Sequence, residues 1–144
     1  MKTTITILIA TAVSIQSLAA EISPAFLDRL AAVESGVDDH ALNQSEGAHG
    51  RYQIRACYLA DANRFLGACY DLWDMHDPVI ARLVVTAYLT HYGLAMERET
   101  GREATEEDLA RIHNGGPRGW EKQSTWAYWC RFVGAGAEEE GANE

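Results

Sequence analysis

The stretch SPAFLDRLAAVESG, Ser23 to Gly36, decides how the chain is read. Ser ahead of Pro is a helix start: the hydroxyl accepts one of the orphan N–H groups, and Pro at the first helical position has no N–H to leave unpaired. Phe26, Leu27, Leu30, Ala31 and Val33 follow at helical spacing until Gly36 stops the run. Leu27, Leu30, Ala31 and Glu34 stand at offsets of three, four and seven, so the inward stripe ends in a carboxylate. A carboxyl on the apolar side of a helix loses hydration, which disfavours its ion and raises its pKa. The spacing therefore predicts a Glu34 that stays protonated near neutrality. That is what a general acid needs to protonate the bridging oxygen of a glycosidic bond. The alternative, a Glu bent back to water at a helix end, is left open by spacing alone.

Working outward, Asp38 to Ile54 loses the helical period. Asn43, Gln44, Ser45, Glu46, Gly47 and Gly50 form a turn cluster with Tyr52 and Ile54 alternating after it, which predicts a small two-stranded hairpin. Ala56 to Leu66 resumes helical spacing and ends near Gly67, while Asp77-Pro78 opens a second, strongly apolar helix running at least to Tyr92. Thr105-Glu106-Glu107-Asp108 has the form of a capping box for a short helix through Leu109, Ile112 and His113, broken by Asn114-Gly115-Gly116-Pro117. Ser124 is placed to cap a last helix carrying Trp126, Trp129 and Phe132. The sum is a mainly α domain with one small β-hairpin.

The 144 residues, 47% hydrophobic, suit one compact domain. Residues 1–20 differ in kind: Lys2, an apolar run from Ile5 to Val13, and small residues at Ser17, Ala19 and Ala20 read as a secretory signal peptide. A membrane anchor is disfavoured because the run falls far short of the ~20 residues a bilayer needs, and no other stretch is read as reaching that length. The expected organisation is a leader at 1–20, a catalytic domain at 21–134 and a disordered acidic tail at 135–144, in a secreted or periplasmic monomer. A net charge of −9 argues against nucleic acid or an anionic membrane surface as partner. Of Cys57, Cys69 and Cys130, the first two are the expected disulfide in an oxidising compartment. Neither the cysteines nor His40, His49, His76, His91 and His113 show metal-ligand spacing, so no metal and no other cofactor is expected.

Glu34-Ser35-Gly36, followed by Ser45-x-Gly47-Ala48-x-Gly50-x-x-Gln53, resembles the lysozyme-like superfamily, in particular the soluble lytic transglycosylases. Gly50-Arg51-Tyr52-Gln53-Ile54, Ala56-Cys57-Tyr58, Ala87-Tyr88-Leu89-x-x-Tyr92-Gly93 and Arg111-Ile112-His113-Asn114-Gly115-Gly116-Pro117 extend the likeness. With Tyr128-Trp129, they make the chain similar to invertebrate-type (destabilase) lysozymes from about Leu30 to Trp129. The resemblance implies a helical fold with a hairpin flanking a saccharide cleft, and hydrolysis of the β-1,4 bond between N-acetylmuramic acid and N-acetylglucosamine in peptidoglycan. It gives Glu34 the place of the catalytic acid. It also sets Tyr52, Gln53 and Tyr58 near the cleft floor and His113 and Asn114 on a loop beside it, as substrate-binding candidates.

The chain departs from that family where a second carboxylate belongs. Counting forward from Glu34 by the family's interval reaches Glu46, taken here as the candidate second carboxylate; counting back from Gly50-x-x-Gln53 reaches Asn43. A retaining glycosidase wants its two carboxyls about 5 Å apart, and an inverting one leaves room for water. Without such a partner Glu34 acts alone, as in the transglycosylases, so a lytic transglycosylase giving anhydromuramic products is the alternative reading. A third reading is a glycan-binding module of the same fold without turnover. Asp38 and Asp39 read as solvated turn residues, and no base is placed by sequence beside Ser35 or Ser124 for isopeptide cleavage.

Overall fold

The computed structural model describes the backbone of residues 22–141 and the side chains of 22–136. The expected leader at 1–20 lies outside the described residues. Helix α1 spans Pro24–Ser35, with the Ser23 hydroxyl accepting the Phe26 N–H at 3.1 Å and Pro24 in the first turn. Gly36, at φ 66°, closes it: the Gly36 and Val37 N–H groups turn back to the carbonyls of Ala32 and Ala31. Phe26, Leu27, Leu30 and Ala31 are buried, as the stripe requires.

The hairpin is short. Strands β1 (Leu42–Asn43) and β2 (Ala48–His49) pair antiparallel, Leu42 opposite His49 and Asn43 opposite Ala48. Tyr52 and Ile54 do not extend a strand. Gly50 and Gln53 take positive φ, the chain turns within four residues, and Ile54 bridges back to His49. A side chain at Gly50 would strain this corner, since a Cβ there would stand 2.0 Å from the Met75 carbonyl oxygen.

Helix α2 (Ala56–Leu66) packs on α3 (Pro78–Thr100), with Tyr58 stacked on Tyr88 at 3.5 Å between ring centroids. A 3-10 turn, Trp73–His76, leads into α3, whose Asp77 cap accepts from Val79 and Ile80. The helix runs through Gly93, which is buried, because packing there outweighs the ~1 kcal/mol a helical glycine costs. At 23 residues α3 is also long and apolar enough by composition to cross a bilayer, which corrects the reading that no other stretch reaches that length. It serves as the core rod: Ala81, Val84, Val85, Tyr88, Leu89 and Met96 are all buried.

Helix α4 (Glu106–Gly115) begins with the expected capping box, Thr105 and Asp108 bonding reciprocally, and Arg102 reinforces Asp108. Two 3-10 turns, Gly119–Glu121 and Gln123–Thr125, precede α5 (Trp126–Gly141). Ser124 therefore lies inside a turn and does not cap the helix. Of the aromatics on α5, Tyr128 and Phe132 face inward while Trp126 is exposed. Phe132 packs on Phe26 at 5.2 Å, which fastens α5 under α1. The helix is assigned as far as Gly141, so the expected tail is helical up to that point, and residues 142–144 lie outside the described residues.

The expected Cys57–Cys69 disulfide is a correction: all three cysteines are free and exposed. Cys57 sits in the first turn of α2 and Cys69 follows its C-terminal cap. The helix rises roughly 14 Å between Cys57 and its last residue, Leu66, so the two cysteines stand at opposite ends of α2.

Candidate active site

The end of α1, the hairpin, the start of α2 and the end of α4 enclose a groove of about 340 Å³. Glu34 lines it from α1, Asn43 and Glu46 from the hairpin, and Gln53, Arg55 and Cys57 from the corner leading into α2. Tyr58 and Tyr88 form part of its floor, and His113, Asn114, Gly115 and Gly116 close the far side.

Glu34 is 17% exposed at its side chain, so the carboxyl is largely sunk. Its Oε1 accepts the Tyr128 hydroxyl at 2.8 Å and lies 3.4 Å from His113 Nε2. That nitrogen also meets the Tyr52 carbonyl at 3.2 Å, while the other ring nitrogen meets the Tyr58 hydroxyl at 3.1 Å. Burial is the largest single influence on Glu34 and pushes its pKa up. The hydrogen bond and charge of His113, the Tyr128 hydroxyl and the charge of Arg131 together outweigh it, and the pKa falls below the ordinary 4.5. This corrects the expectation of a carboxyl kept neutral by greasy surroundings. The helical stripe places Glu34 inward, but what it meets there is a polar cluster supplied by α4 and α5. The same carboxylate, added to burial, drives the Tyr128 phenol well above its usual range.

Of the expected site residues, Glu34, Glu46, Gln53, Tyr58, His113 and Asn114 all reach the groove. Tyr52 does not: it is fully buried in the core beneath the hairpin, where no sugar can stack on it, and it contributes only its backbone carbonyl. Glu46 is half exposed and paired with Arg55. Asn43, the other position the spacing pointed to, faces the same space. Gln53 holds φ 50° with its amide N–H on the Gly50 carbonyl at 3.1 Å, a strained backbone kept by the turn around it. Asp39 is held by Arg51 and Asp38 caps the turn at His40, so both serve the loop. Tyr128, Arg131, Arg55 and Tyr88 were not foreseen as site residues; Tyr128 was visible in sequence only as a family match.

No family model matches the chain. The chain is 42% identical over 89 residues to Lysozyme 1 of the oyster Crassostrea virginica, covering 60% of this chain and 44% of that one. Against a lysozyme of Magallana gigas it is 34% identical over 115 residues, 76% of this chain and 77% of the relative. The inhibitor-bound lysozyme from Meretrix lusoria superimposes with a TM-score of 0.64 at 30% identity, over 78% of this chain and 88% of that one. The chain belongs to the invertebrate-type lysozyme family. It spans about half the length of two of the curated relatives it matches. The lysozyme fold of helices and one hairpin is thus shared with these bivalve proteins, and the groove described above lies between the two parts. Among the described residues no group of three or more His, Cys, Asp or Glu is arranged to hold a metal ion.

Proposed function

We propose that this chain is a peptidoglycan-cleaving lysozyme that hydrolyses the β-1,4 bond between N-acetylmuramic acid and N-acetylglucosamine, with Glu34 as general acid. The observation that carries the reading is a largely sunk carboxyl that lines a groove and, among the described residues, accepts a hydrogen bond on one oxygen, Oε1. A glycan strand filling the groove displaces water and adds to the desolvation that already pushes the Glu34 pKa up. Protonation in the complex is then easier than in the open groove, and turnover is favoured on the acid side of neutrality.

Glu46 does not act as the second carboxylate in this proposal. Its charge is answered by Arg55, which leaves a poor nucleophile and a weak partner for a developing oxocarbenium ion. The amides of Asn43 and Gln53 line the same wall and are suited to hold a water or the N-acetyl group of the sugar. That pairing also supports a second reading, a lytic transglycosylase in which the sugar's own hydroxyl replaces water. Mass spectrometry of fragments released from purified peptidoglycan separates the two: hydrolysis leaves reducing muramic ends, and transglycosylation leaves anhydromuramic ends lighter by one water. Intact peptidoglycan after prolonged digestion would reduce the chain to a glycan-binding module. Export belongs to the same proposal, since the substrate lies outside the cell membrane.

A further inference from the structure

One oxygen of Glu34 accepts a hydroxyl and has an imidazole nitrogen beside it. The Tyr128 hydroxyl donates to Oε1 at 2.8 Å, and His113 Nε2 stands 3.4 Å from the same atom. Nε2 carries a hydrogen whatever the charge of the ring, because its other neighbour, the Tyr52 carbonyl at 3.2 Å, can only accept. Among the described residues no hydrogen bond is donated to Oε2, and Glu34 borders the groove.

From this geometry we infer that Tyr128 is a positioning residue for the Glu34 acid. It holds Oε1 as the accepting oxygen and so assigns the transferable proton to Oε2, which accepts no hydrogen bond from the described residues. The inference rests on the reading of Glu34 as general acid. An oxygen that already accepts a hydroxyl hydrogen is the poorer site for the carboxylic hydrogen, which is held instead by its twin. In the transfer, the O–H bond at Oε2 breaks and a bond forms from that hydrogen to the bridging oxygen. The bond from that oxygen to the sugar's anomeric carbon breaks, its electron pair staying with the leaving oxygen. The negative charge left on Glu34 is met at Oε1 by the Tyr128 hydroxyl already in place, without reorganisation. Water then adds its hydroxide to the anomeric carbon and returns a proton to the carboxylate.

Both residues owe their positions to packing that sequence spacing leaves hidden. Tyr128 is nearly buried on α5, which α1 covers, and His113 is nearly buried at the end of α4. The other titratable groups facing this carboxyl are Arg131 on α5, Tyr58 on α2 behind His113, and, across the groove, Glu46 paired with Arg55. The lowered pKa of Glu34 agrees with donors that favour its ion.

The test is the pH profile of kcat and KM on soluble peptidoglycan fragments for Tyr128→Phe, a change that removes one oxygen and leaves the ring in place. The expected result is a kcat about tenfold lower on the acid plateau, the equivalent of one charge-assisted hydrogen bond, with KM unchanged. The alkaline limb should move to higher pH, because a carboxylate that loses a donor ionises less readily. His113→Gln, which keeps an N–H near Oε1, should keep the limb closer to that of the parent than His113→Ala does. A Tyr128→Phe protein with the parent's melting temperature, kcat and alkaline limb would overturn the positioning role. Glu34→Gln run beside them separates the two claims. If it is inactive while the Tyr128→Phe limb is unmoved, only the positioning role fails; if it is active, the acid assignment fails and the inference with it.

Discussion

Gly50→Ala probes the corner on which the groove wall is built. At φ 70° the added Cβ enters the left-handed region, which costs a Cβ-bearing residue about 1–2 kcal/mol. The same Cβ meets the Met75 carbonyl oxygen at 2.0 Å and its carbon at 2.8 Å. These are backbone atoms of the turn before α3 and cannot swing aside, so overpacking adds about 1–3 kcal/mol. Together they remove roughly 2–5 kcal/mol from a domain whose whole stability is of order 5–15 kcal/mol. For a domain of this size that lowers Tm by roughly 10–20 °C. Gly47→Ala is the internal control: it has φ 60° but nothing within 4 Å of its Cβ, so only the conformational cost, about 1–2 kcal/mol, applies. Urea and thermal unfolding followed by circular dichroism measure both. Gly50→Ala should also lose wall-clearing activity at temperatures where it is folded, because the Gly50 carbonyl holds both the N–H and the side-chain amide of Gln53. Equal destabilisation by the two substitutions would refute the close-approach reasoning.

Three further outcomes follow from the geometry. His49 is stacked against His76 at 5.5 Å, and burial, with the charge of His76, holds its pKa below 6.5. The neutral ring therefore contributes stability that is present above pH 6.5 and lost as pH falls through the folded pKa, and His49→Gln should flatten that loss between pH 7.5 and 5 in urea midpoints. Val37 is a β-branched, half-exposed residue at φ 67°, so Val37→Asn should stabilise the protein by roughly 0.5–1 kcal/mol, read as a higher urea midpoint at unchanged slope. The three free, exposed cysteines should all react with a thiol reagent in the native protein, and reductant should leave Tm unchanged; protection of Cys57 and Cys69 would contradict the fold described.

The helices were legible because their signals are local. Ser23-Pro24, Asp77-Pro78 and Thr105 to Asp108 announce helix starts in neighbouring residues, and Gly36 ends α1 for the same reason. The hairpin was legible as a turn cluster, yet its corner was not: Tyr52 and Ile54 alternate like a strand, while their burial comes from the sharp turn at Gly50 and Gln53. The helix was legible at least to Tyr92; it continues through Gly93, a buried helical residue, since packing from α3's neighbours overrides a weak local preference. The position of Glu34 was available from the period of α1, but the sign of its pKa shift was not. That sign depends on His113 and Tyr128, 79 and 94 residues further along the chain, brought beneath it by tertiary packing.

The central claim is that Glu34 delivers the proton that cleaves the glycan, and release of soluble fragments from purified peptidoglycan by Glu34→Gln tests it most directly. Gln keeps the size of the side chain and an oxygen for the Tyr128 hydroxyl, so Tyr128 keeps an acceptor and Tm should be retained. Loss of the acid should lower the rate by roughly 10²–10⁴-fold, the usual contribution of a positioned proton donor. A folded Glu34→Gln protein that solubilises peptidoglycan within a few-fold of the parent rate would contradict the account.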